Sequence, residues 1–154
     1  MALQLYETGR SHALASDLLY RSAIIEGQDR DDTSDPEHFA FNGTYSLSIH
    51  YLLGLGLELM LKSAIVAWGG RHDDKSLRDV GHDLIKALDT AEAVGFESHA
   101  PNLRDLLKVL QEPFKQHWFR YGRPDDFPLP GDFAQVVATL EVLDEEIRVR
   151  LDAK

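Results

Sequence analysis

The chain has 154 residues, 44% hydrophobic and 27% charged, the composition of one globular domain with room for a real core. It contains no Cys, which excludes disulfide frameworks, thiol nucleophiles and Cys-ligated zinc or iron–sulfur centres. Sixteen basic residues stand against 26 acidic ones, and a net charge of −10 argues against bulk binding of nucleic acid, whose phosphates it repels at long range.

Leu occurs 23 times and Ala 14 times, against 19 for Val, Ile and Thr together, a balance that favours an all-α fold. Leu3, Leu5, Leu14, Leu18, Leu19, Ile24 and Ile25 recur at three-to-four spacing and predict a first helix over about residues 3–26, with Gly27 as its C-cap. Residues 28–43 are acidic and turn-rich and read as a long loop with a short turn after Pro36. Phe39 and Phe41 at its end are expected to pack back on the core.

Thr44 is a candidate cap for a second helix that reaches about Trp68, where Gly69 and Gly70 end it. Residues 47–68 are long enough to span a bilayer, but Glu58 and Lys62 lie near the middle, at about 2.5–3.5 kcal/mol each on insertion scales. A central core helix is therefore expected, and no membrane association. Its apolar surface exceeds what one small bundle needs, which predicts a homodimer. Gly54 and Gly56 within it invite close approach of a helix from the same chain or from a second subunit.

Residues 71–81 read as a polar connection, and residues 82–94 as a third helix with Gly95 as its cap. A fourth helix starts at Ala100-Pro101-Asn102 with the stripe Leu103, Leu106, Leu107 and Leu110. Pro113 is expected to kink or break it, with residues 114–121 continuing as an offset helix. Residues 123–131 form a Pro-rich loop. Asp132 then caps a last helix whose stripe is Phe133, Val136, Val137, Leu140, Leu143, Ile147 and Leu151. No repeat and no second domain is apparent, so residues 1–154 read as a single domain. The N-terminus lacks a basic n-region and an unbroken apolar run, so a cytoplasmic protein is expected.

The seven His residues form no His-Glu-x-x-His run; His72-Asp73-Asp74 lies in a polar loop, and His99 and His117 lack a helical-spaced partner. No metal and no cofactor is expected. Gly54-Leu55-Gly56 sits inside an apolar helix and is no phosphate loop. Glu58 and Lys62, four apart, read first as a mutually satisfied pair. Residues 102–124 carry Arg104, Lys108, Lys115, Arg120 and Arg123 against Asp105 and Glu112, interleaved with Trp118, Phe119 and Tyr121. Cations beside aromatics bind phosphates and stack bases.

Three segments, in this order, resemble the HEPN superfamily. Gly56-Leu57-Glu58-Leu59-Met60-Leu61-Lys62-Ser63-Ala64 is similar to the family's Glu-x-x-Leu-Lys-Ala helix. Gly81-His82-Asp83-Leu84 resembles its His-Asp-Leu helix start, and Phe119-Arg120-Tyr121-Gly122 its Arg-Tyr-Pro element. The resemblance covers about residues 44–125. It implies an antiparallel bundle of four or five helices, usually a homodimer, which in many members brings two copies of a cleft together. Some members are ribonucleases of toxin–antitoxin or defence systems, and others pair with a small nucleotidyltransferase. Nuclease members carry Arg, then four to six residues, then His. No His here has Arg at those positions, and the nearest pair, Arg78 and His82, has three residues between. The expectation is thus a non-catalytic nucleotide- or RNA-binding module. His82, Arg120 and Tyr121 line its site together with Arg123, and Glu58 and Lys62 support it. The alternatives are a metal-independent ribonuclease using Arg78 and His82, and an interaction partner of a separately encoded nucleotidyltransferase, which the acidic loop 28–38 would suit.

Overall fold

The computed structural model describes residues 1–30, 34–118, 130 and 132–153. Among them the chain is all-helical, with seven helices: α1 (Ala2–Gln28), α2 (Pro36–Asn42), α3 (Ser46–Ala67), α4 (Asp74–Val80), α5 (Leu84–Ala93), α6 (Leu103–Lys115) and α7 (Phe133–Asp152). Five are long and form a bundle; α2 and α4 are connecting helices of about two turns each.

The bundle is built around α3. Leu53, Leu57 and Leu61 on it are fully buried, each contributing about 1.5–3 kcal/mol relative to an exposed side chain. The helix is long and apolar enough to cross a membrane, yet 72% of its most apolar window is buried among the chain's own helices. Its apolar surface is thus covered from within, and the dimer expectation finds no support there.

Helix α1 runs antiparallel to α3, as Ser16 Oγ donates to the Ile49 carbonyl and Ser63 Oγ to the Ala2 carbonyl, both at 2.8 Å. The two backbones touch where they cross: a Cβ on Gly56 would lie 2.9 Å from the Ala13 nitrogen, and one on Gly9 2.9 Å from the Gly56 carbonyl oxygen. The close approach expected at Gly56 is therefore made by a helix of the same chain. Gly54 instead makes room for the Phe114 ring of α6.

Helix α7 lies antiparallel to α1, with the Tyr6 hydroxyl donating to Asp144 at 2.9 Å and Tyr20 stacked on Phe133 at 4.0 Å. Its Arg150 Nε donates to the Ala67 carbonyl at 3.3 Å, next to the end of α3. Helices α5 and α6 form an antiparallel hairpin closed by Arg104, which bonds Asp89 at 2.8 Å and Glu92 at 2.6 Å. The bundle is therefore mixed: α1 and α6 run against α3, and α5 and α7 run with it.

Local chemistry explains the ends. Asp35, Asp73, Asp83 and Asp132 each cap a helix with a side-chain oxygen on a backbone N–H. At the ends of α3 and α5, Gly69 (φ +94°) and Gly95 (φ +95°) take the left-handed conformation. The 6→1 bonds Gly70 N–H to Ile65 carbonyl and Phe96 N–H to Ala91 carbonyl close both ends.

Several boundaries differ from the sequence reading. Gly27 does not cap α1; it is inside the helix, which runs one residue further because Phe39 of α2 packs against its bare Cα. Tyr45, not Thr44, precedes α3, and the Ser46 hydroxyl donates to the Phe41 carbonyl. The polar connection 71–81 contains α4, started by Asp73, whose carboxylate accepts from the Ser76 N–H and hydroxyl. Helix α5 starts at Leu84, because Asp83 is its cap and His82 precedes it. Pro113 does not break α6 at once. It removes one donor near the end, and the helix goes on to Lys115 with Phe114 buried beside Gly54. The turn comes at His117, at φ +58°. Residues 119–121 of the expected offset helix lie outside the described residues.

Candidate functional site

Glu58 and Lys62 occupy successive turns of α3 on the side away from α1, and are 3% and 9% exposed. Lys62 Nζ donates to Glu58 Oε1 at 2.6 Å. The other carboxylate oxygen, Oε2, is 2.8 Å from His82 Nδ1. A carboxylate only accepts, so this contact assigns a ring hydrogen to Nδ1 and leaves Nε2 outside the bond to Glu58. The side chain of His82 is 51% exposed, so one edge of the ring meets Glu58 while the residue reaches the surface. Lysine, carboxylate and imidazole thus form one hydrogen-bonded row running from the core outward.

The row is positioned by three local features. The four-residue spacing on α3 makes the Lys62–Glu58 contact. Gly81 (φ +64°) reverses the chain after α4 and delivers His82 to α3. Asp83 then starts α5, so the imidazole is held between a turn and a helix. His82 does not cap the helix it precedes: Asp83 does, accepting from the Lys86 N–H at 2.9 Å.

The ring of His82 stands perpendicular to Phe114, centroids 5.7 Å apart, and nearly perpendicular to His117 at 5.2 Å. No residue of the sequence reading predicted the His117 contact. The two imidazoles are 35 positions apart, and only the docking of α6 on α3 and α5 joins them. Gln111 was also missed. Its Oε1 accepts from the Leu84 N–H at 2.8 Å and the Ile85 N–H at 3.2 Å. Together with Asp83 it satisfies the first donors of α5, so the helix start does not offer them to an anion. Burial works to raise the Asp83 carboxyl, but its bonds with Lys115, the Lys86 N–H and Gln111 outweigh burial and hold it below the ordinary carboxylate range.

The remaining predicted residues divide. Arg78 is exposed on α4, which ends at Val80, so Arg78 and His82 do not share a helix face. Arg120, Tyr121 and Arg123 lie outside the described residues, as does Phe119. Of the basic stretch, Arg104 bridges Asp89 and Glu92, Lys108 meets Asp105 at 3.4 Å, and Lys115 meets Asp83 at 2.9 Å. These three cations are thus engaged with carboxylates rather than gathered into a bare patch. Among the described residues no group of three or more His, Asp or Glu side chains is placed to hold a metal ion. Comparison with protein-family models, curated proteins and solved structures found no match to this chain.

Proposed function

We propose that the chain is a HEPN-like domain that binds a nucleotide or the phosphate-bearing end of an RNA at His82, works as a homodimer, and does so without turnover. The observation that carries this reading is the row Lys62–Glu58–His82. A buried carboxylate, balanced by a lysine, fixes a surface imidazole through Nδ1 and leaves Nε2 facing outward, where Nε2–H donates to a phosphate oxygen when both ring nitrogens carry hydrogen. His117 supplies a second imidazole beside it. The net charge of −10 disfavours a long run of phosphates and favours a small ligand with one anionic group. Arg120, Tyr121 and Arg123 are proposed as further ligand contacts on the sequence resemblance alone.

A second reading, a metal-independent ribonuclease, is favoured by the two adjacent imidazoles. Such cleavage needs a base for the 2′-hydroxyl and an acid for the leaving oxygen. Fluorescence anisotropy with a short single-stranded RNA, 5′-phosphorylated or not, tests the first reading. The phosphorylated RNA binds better, and His82→Ala weakens it by about tenfold or more with little change in Tm. Equal binding by parent and variant would sink the reading. Cleavage of the same RNA in EDTA by the parent, but not by His82→Ala, replaces it with the second.

A further inference from the structure

Among the described residues, six large apolar side chains stand well out in solvent, and four of them lie on α1: Leu3, Leu14, Leu18 and Ile25, from 53% to 66% exposed. At about 100° per residue these four fall within an arc of about 60°. Glu7 and Arg21 fall in the same arc. It faces away from Gly9, Ala13 and Ser16, which pack on α3. A helix that buries one side and carries a second apolar stripe on the other has an unpartnered face.

The order of residues along the stripe is self-complementary. If α1 meets a second α1 antiparallel about a two-fold axis at Leu14, Leu14 faces its own copy. Leu3 then faces Ile25, Glu7 faces Arg21 and Leu18 faces Arg10, each pair occurring twice. Both apolar ends find apolar partners, Glu7 and Arg21 find the opposite charge, and Leu18 lies against the aliphatic stem of Arg10, whose guanidinium is held by Asp144 of its own chain. This is the pattern an isologous contact requires, and an unrelated partner would not impose it. Glu7 makes no ion pair within the described chain, and Arg21 uses its Nε on Asp17 at 2.9 Å, leaving its terminal nitrogens to the second copy. Beside the stripe, a groove of about 280 Å³ between α1 and α7 has an apolar floor that includes Ala13, Met60 and Val137 and a charged rim that includes Arg10, Asp17 and Glu141. Its apolar floor adjoins the stripe at Leu14.

We infer that α1 is the homodimer interface, pairing antiparallel with α1 of a second copy about Leu14. The inference rests on the dimer reading above and assigns its face. Gly56, which meets α1, and Glu58, which meets His82, are about 200° apart on α3. Dimerisation through α1 therefore leaves the two His82 sites outward, on opposite sides of the dimer. The HEPN resemblance implied the reverse, two clefts brought together.

Because the chain has no Cys, single cysteines report the register directly. Under mild oxidation Leu14→Cys forms a disulfide-linked dimer. Leu3→Cys and Ile25→Cys link to each other when mixed, and neither links to itself. In light scattering the parent has twice the 17.4 kDa chain mass, and Leu14→Arg with Leu18→Arg, which sets the first new cation against its own copy and the second against Arg10, gives a monomer of unchanged helicity. Glu7→Arg and Arg21→Glu each weaken association by about tenfold, and together they restore it. A parent that is monomeric at about 100 μM overturns the dimer reading itself. A parent dimer that survives Leu14→Arg with Leu18→Arg, and in which Leu14→Cys does not link, leaves that reading standing and overturns the α1 face.

Discussion

Glu58 is the residue on which the site depends, because it holds two partners from a position with almost no access to water. Two buried charges are costly to desolvate, and the pair persists because each compensates the other. Lys62→Met leaves the buried Glu58 carboxylate without its lysine, and is expected to cost about 3–5 kcal/mol in urea denaturation. Adding Glu58→Gln removes the stranded charge and recovers part of that loss. A Lys62→Met variant as stable as the parent would show that the pair contributes nothing. His82 reaches solvent, so its removal exposes Glu58 Oε2 to water rather than to a void, and function should suffer more than stability. That contrast separates a residue that binds from residues that hold it.

At the scale of the element, the crossing of α1 and α3 shows how a helix trades propensity for contact. Glycine inside a helix costs about 1 kcal/mol against alanine where the helix is exposed. At Gly56 the sign reverses, because an added methyl would meet the Ala13 nitrogen and the Gly9 carbonyl, which belong to backbone and do not move aside. Gly56→Ala is therefore expected to destabilise by about 1–3 kcal/mol, read from the urea midpoint. An increase in stability would mean that the helices do not cross as closely as described. The same crossing explains why α1 has two faces. Small residues on its inner side let it lie flat on α3, which leaves its large side chains to point outward.

For the whole molecule, α7 completes the bundle by closing over α1 through two tyrosines. Burial, then the hydrogen bond to Asp144, pushes the Tyr6 phenol from 10.0 to about 12. Burial, then the charges of Glu37, Asp132 and Asp35, does the same for Tyr20. A phenol whose folded value is raised favours the native state fully below the unfolded value and loses that contribution as pH rises through the folded one. Tm should fall between pH 10 and 12, and Tyr6→Phe with Tyr20→Phe should flatten that fall. An alkaline limb identical in the double variant would place the loss elsewhere. The chain is already at −10, so each phenolate formed at this seam adds to a repulsive total.

Much of this was legible in one dimension. The abundance of Leu and Ala, the three-to-four stripes and the Asp caps are local signals, and they determined an all-helical chain with α1, α3, α5, α6 and α7 close to their observed places. Glu58 and Lys62 were legible as a pair because a helix brings neighbours at four-residue spacing together whatever else the chain does. Helix α4 was hidden because its polar residues carry no apolar period, and only the Asp73 cap marked it. Pairing across helices has no such local signal. The contact of His82 with Glu58, the approach of His117 and the capping of α5 by Gln111 arise from the docking of α5 and α6 on α3. The choice of Gly56 as a contact within the chain, and with it the exposure of the Leu14 face, followed from the docking of α1. Burial energy is shared among all the helices at once, so tertiary packing alone decided which faces met.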